Sequence, residues 1–74
     1  MDWRDHIVQD PRVLVGKPTF KGTRVSVEQV LRLLGGGWTA EQVIENLPSV
    51  TATMIQAALA YAADAVGDGP ALAA

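Results

Sequence analysis

The sequence predicts a mainly α fold: a short N-terminal β-hairpin arm over residues 1–25, followed by a three-helix unit over residues 26–66. Three observations predict it. From Val25 onward one local start signal occurs three times. Each occurrence opens an apolar stripe of helical spacing. The residues ahead of the first are short β-branched runs broken by glycine and proline.

The start signal is a hydroxyl cap. "VSVEQV" offers Ser26, with Gln29 three residues on to reach back to the cap's own amide. "WTAEQV" repeats this with Thr39 and Gln42, and "VTATMI" offers Thr51 without the returning glutamine. Each hydroxyl accepts from an amide of the first turn that has no partner inside the helix, an interaction worth about 1 kcal/mol. An apolar residue before each cap matches one in the helix behind it: Val25 with Val30, Trp38 with Val43, Val50 with Ile55. Such staples set the angle at which the chain enters a helix.

The stripes follow. Val27, Val30, Leu31 and Leu34 keep i, i+3, i+4, i+7 spacing, as do Ala40, Val43, Ile44 and Leu47. The third helix is expected to pack through Met54, Ile55, Ala58, Leu59, Ala62 and Val66. Gly35 to Gly37 stop the first helix, Pro48 the second and Gly67 the third, leaving residues 67–74 as a flexible tail. Only Pro48, Ser49 and Val50 connect the second and third helices. So short a connection makes the helices cross sharply, which gives the unit a homeodomain-like helix-turn-helix outline; an ordinary three-helix bundle with a tight turn is the other reading.

In the arm, "HIVQDP", "RVLVG", "PTF" and "TRVSV" read as two to four short strands, with Lys21-Gly22 as a turn. A lone hairpin is barely stable in water, so the arm must lie on the helices or on another chain. Trp3 and Phe20 are the expected anchors.

Size and charge narrow the function. A 74-residue chain buries only about 60% of the surface it exposes when unfolded. With no cysteine it has neither a disulfide nor a thiolate zinc site to help. Pairing with a second copy would add burial, so a homodimer is expected. The start "MDWRDH" lacks an apolar leader core and no run is long enough to span a bilayer, which points to a cytoplasmic protein with no membrane partner. The net charge of −2 divides unevenly, +2 over residues 1–27 and −4 over residues 28–74. Attraction to a polyanion would have to come from the front third.

The stretch "GKPTFKGTR" invites comparison with a phosphate-binding loop and fails it. Lys17 is followed by proline and Lys21 precedes its glycine, whereas such a loop needs lysine directly after the last glycine and then Ser or Thr. Catalysis is not expected either. His6 is the sole histidine, Ser26 is engaged as a cap, and Glu41 and Glu45 lie on a polar helix face. Neither a cofactor nor a metal is expected, and the chain reads as a binding protein and not an enzyme.

The segment "GKPTFKGTRVSVEQVLRLLGGGWTAEQVIENLPSVTATMIQAALAYAAD" resembles the domain-of-unknown-function 433 family, also described as VapB-like antitoxins. "GKP", "GTR", the "LP" before the third helix and "ALAYAA" carry the resemblance, which runs from about Ile7 to Asp64. It implies a stranded arm before a helix-turn-helix, dimerisation, pairing with a PIN-like ribonuclease toxin, and binding to promoter DNA. It brings no catalytic residues. Family members often carry a second glycine before the lysine, where this chain has Val15.

In a helix-turn-helix the start of the motif's second helix faces base edges, which here offers Thr51, Thr53 and Gln56. Phosphate contacts need Lys or Arg, and residues 33–74 contain none. Arg12, Lys17, Lys21 and Arg24 are therefore the candidate phosphate contacts. Two readings stand. In one, the chain is an antitoxin that binds its toxin and its promoter. In the other, it is an interaction module or adaptor that never meets DNA, and the arm's cations pair with local carboxylates and carbonyls.

Overall fold

A computed structural model describes residues 1–67. The expected flexible tail lies, from residue 68 onward, outside the described residues. Two strands, β1 (Ile7–Val8) and β2 (Thr19–Phe20), precede three helices, α1 (Val27–Gly35), α2 (Ala40–Asn46) and α3 (Ala52–Val66). The class is as expected: mainly helical, with an antiparallel hairpin in front.

All three caps form. Ser26 accepts from the Gln29 amide at 3.0 Å, Thr39 from the Gln42 amide at 3.1 Å and Thr51 from the Met54 amide at 3.1 Å. Only Thr39 completes the reciprocal box, its own amide donating to Gln42 Oε1 at 2.8 Å. Helix α1 ends in paired bonds: the Trp38 amide donates to the Leu33 carbonyl and the Gly37 amide to the Leu34 carbonyl, both at 3.1 Å. This closure requires a left-handed residue just past the helix, and Gly37 at φ +101° supplies it without a Cβ penalty.

The hairpin aligns Ile7 with Phe20 and Val8 with Thr19, and Thr19 makes one further antiparallel bridge to Ser26. Around Gly22, at φ +81°, Thr23 holds the turn: its hydroxyl donates to the Phe20 carbonyl at 2.9 Å and accepts from the Val25 amide at 3.0 Å. This pairing carries the arm directly into α1. The Val27 amide, first in the helix, donates to the Pro18 carbonyl at 2.9 Å.

Of the four runs read as two to four strands, two form strands and two do not. "RVLVG" forms a 3₁₀ turn over Leu14–Gly16, and "TRVSV" contributes only the bridge at Ser26. Turn chemistry prevails over β-propensity here. Asp10 accepts from the Arg12 amide at 2.9 Å and its carbonyl accepts from the Val13 amide at 2.8 Å, so a turn begins at Asp10-Pro11 and the next follows at once. In that second turn Leu14 and Val15 both take left-handed angles, φ +49° and +55°. For a β-branched residue this is an outlier, costing of order 1–3 kcal/mol.

The core is a single cluster to which arm and helices all contribute. Ile7 and Phe20 from the hairpin meet Val27 and Val30 of α1, Val43 of α2, Val50, and Ile55, Ala57 and Ala58 of α3. Phe20 is wholly buried, worth about 2–3 kcal/mol in transfer alone. Trp3, the other expected anchor, meets the Tyr61 ring edge-on at 4.8 Å, and its indole N–H donates to Asp64 Oδ2 at 2.7 Å. The stripes of α1 and α2 face this core as expected. On α3 two expected core residues do not: Leu59 is 51% exposed and Val66 77%, while Ala57 is buried. α1, α2 and a 3₁₀ turn at Trp3–Asp5 cover one side of α3, and Leu59 and Val66, seven residues apart, share a flank that none of them reaches.

The strain at Val15 predicts that Val15→Gly stabilises the folded chain. Relief of the left-handed angle outweighs the extra freedom of glycine in the unfolded chain, leaving a net gain of about 1 kcal/mol. A higher urea midpoint at low protein concentration is the expected result; an unchanged or lower midpoint contradicts it.

Candidate partner-binding surfaces

The arm's cations are not equivalent. Arg12 is held by Asp10, with Nε to Oδ1 at 3.2 Å and Nη2 to Oδ2 at 3.1 Å, and this holds the Asp10 carboxyl below its ordinary pKa. Lys17 reaches across to α1 and bonds Glu28 Oε1 at 3.2 Å. On its other oxygen Glu28 accepts from Arg32 Nε at 2.9 Å, one helical turn on. Glu28 thus bridges two cations, and Arg32 first, then Lys17, depress its pKa. Lys21 and Arg24 are exposed, and among the described residues neither side chain has a carboxylate partner.

Two of the four candidate phosphate contacts are therefore already neutralised, and two are not. The pairing reading holds for Lys17 and Arg12; it does not hold for Arg24. At the start of α3, Thr51 uses its hydroxyl oxygen as the cap, while Thr53 and Gln56 are exposed. Neither α2 nor α3 carries a basic residue to help them: α2 exposes Glu41 and Glu45, and the chain has no Lys or Arg after Arg32. Arg32 itself is committed to Glu28.

Two apolar features were not legible as sites in the sequence. One is an open cleft of about 430 Å³ between the arm, α1 and α3, lined by Pro18, Val27, Leu31 and Tyr61, with Glu28 and Arg32 at its rim. Its parts are scattered over more than forty positions, and only the fold brings them together. The other is the Leu59–Val66 flank of α3. A signal for it exists: apart from Asp64, bound to Trp3, α3 carries no charge, and a helix with so little polar surface is normally covered on more than one side. Among the described residues no helix is long and apolar enough to cross a membrane. No group of three or more His, Cys, Asp or Glu side chains suited to a metal occurs among them either.

These features define a small helical domain with a hairpin arm, well-formed caps and apolar surface left uncovered. The chain belongs to the DUF433 family, described as "Protein of unknown function (DUF433)", whose model matches residues 7–62. It is 36% identical over 59 residues to the uncharacterized protein y4eO of Sinorhizobium fredii. The match takes in 80% of this chain, which spans 27% of the length of that relative. No solved structure matches the chain.

Because Glu28 gains its partners only in the fold, its pKa falls below the unfolded value. The stabilisation is present above that unfolded value and is lost as pH drops through the folded one. An NMR titration is expected to place the Glu28 midpoint below that of the same residue in the unfolded chain, and Arg32→Met is expected to raise it further than Lys17→Met does. A Glu28 midpoint equal to the unfolded value would contradict the bridge.

Proposed function

We propose that the protein works by binding and not by catalysis, as the antitoxin of a type II toxin–antitoxin pair: a homodimer that holds a PIN-like ribonuclease toxin through protein contacts. The observation that carries this reading is the outward apolar flank of α3, where Leu59 and Val66 stand exposed on a helix without a basic residue. An apolar helix face laid into a partner's groove is a recurring recognition mode. The resemblance of the sequence to VapB-like antitoxins, and a charge balance that disfavours polyanions over most of the chain, support it.

The test pairs the purified chain with the product of the neighbouring reading frame, which this reading expects to be a PIN-like nuclease, and follows RNA cleavage. Leu59→Asp with Val66→Asp alters only exposed side chains, so the fold is retained. The double variant is expected to need about tenfold more protein for the same inhibition, the loss that burying one such side chain implies. Full inhibition by the double variant moves the contact elsewhere, and no inhibition by the wild-type chain refutes the antitoxin reading.

Promoter binding is a second reading, favoured by one observation: Lys21 and Arg24 lack carboxylate partners among the described residues. With two such contacts per chain, the logarithm of affinity falls with the logarithm of salt at a slope of about −2 per chain. Lys21→Ala with Arg24→Ala is expected to flatten that slope, read by fluorescence anisotropy on upstream DNA. An unchanged slope leaves the adaptor reading in place.

A further inference from the structure

Two exposed apolar features remain without a role. One is the tip at Leu14–Val15. Val15 is 94% exposed and Leu14 is also exposed, and both are held in left-handed backbone. An apolar, β-branched side chain that is both strained and turned to solvent has no folding reason to be there, and strain of this kind is characteristic of sites that make contacts. The other is the cleft of Pro18, Val27, Leu31 and Tyr61, apolar on its floor and open to solvent.

We infer that the Leu14–Val15 tip of one copy seats in the Pro18–Leu31–Tyr61 cleft of a second copy, and that the second copy's tip seats reciprocally in the first. The assignment rests on the self-association proposed above and adds the surface that performs it.

Four considerations favour a second copy over an unrelated protein. Knob and hole lie on one chain, separated only by Gly16 and Lys17, so a two-fold axis beside them satisfies both at once and closes the assembly. The tip does not enter its own cleft. Lys17, bonded to Glu28, pins the rim next to it, and Val15 points to solvent. Charge does not oppose the contact. Asp10 and Arg12 cancel at the base of the tip, whereas Lys17, Glu28 and Arg32 leave the rim at only a single positive charge. A 74-residue chain without disulfides also gains most from added burial.

The test uses the whole chain and reads its mass by light scattering and its dissociation constant by sedimentation equilibrium. Val15→Asp changes a solvent-exposed side chain and leaves the core untouched; it is expected to weaken the dimer about tenfold or more. Leu31→Lys is expected to do the same from the other side, with circular dichroism confirming that it folds. Mixing the two variants sets aspartate of one tip against lysine of the opposite cleft and restores one native tip–cleft contact. The mixture is therefore expected to dimerise more tightly than either variant alone, an effect that mere loss of structure cannot produce. Val15→Gly separates strain from contact: it weakens the dimer even as it stabilises the dilute chain. A wild-type chain that stays monomeric defeats the proposed self-association and this contact with it. A dimeric wild type whose Val15→Asp and Leu31→Lys variants remain equally dimeric defeats the tip-and-cleft contact alone. Species larger than a dimer overturn the closed two-fold arrangement.

Discussion

The burial of Phe20 is the constraint on which the rest of the molecule depends. The hairpin has two residues in each strand, far too few to stand alone, and it is ordered because its aromatic residue enters a cluster built by all three helices. The helices need it equally. α2 has seven residues and α1 nine, lengths that are marginal in water without tertiary packing. Without the ring, the valines of α1 and α2 would enclose a space they cannot fill. Arm and bundle therefore fold as one unit, and the Val27–Pro18 backbone bond ties the last residues of the arm to the first turn of α1.

Much of the fold was legible because capping chemistry is local. Ser26, Thr39 and Thr51 each announce a helix within four residues, and all three bonds form. The stripes of α1 and α2 were equally readable. Misreadings arose where local turn chemistry outweighed composition or where a decision depended on distant neighbours. "RVLVG" has the composition of a strand, yet Asp10-Pro11 begins a turn that composition alone undervalues. Leu59 and Val66 fit a helical period, but whether that flank is covered depends on what packs against α3 and not on α3 itself. The cleft was the least visible feature of all, since no local pattern links Pro18 to Tyr61.

Electrostatics divides the surface into regions with different capacities. Around Glu28 the charges are mutually satisfied, and a pair so exposed contributes little to stability while it fixes where Lys17 and Arg32 lie. The Lys21–Arg24 turn retains positive charge that, among the described residues, no carboxylate answers. α2 presents the opposite sign, and the outer flank of α3 almost none. A partner that is anionic, cationic or apolar would thus meet three different faces of the same small domain. The apolar face lies on the longest and stiffest element, which suits a contact between folded surfaces.

The bond from the Trp3 indole to Asp64 joins the first turn of the chain to the last turns of its longest helix. The polypeptide consequently comes in and goes out at one corner, like a bead threaded through a single hole. A unit of this shape can be spliced into a surface loop of a larger protein without prying its host apart.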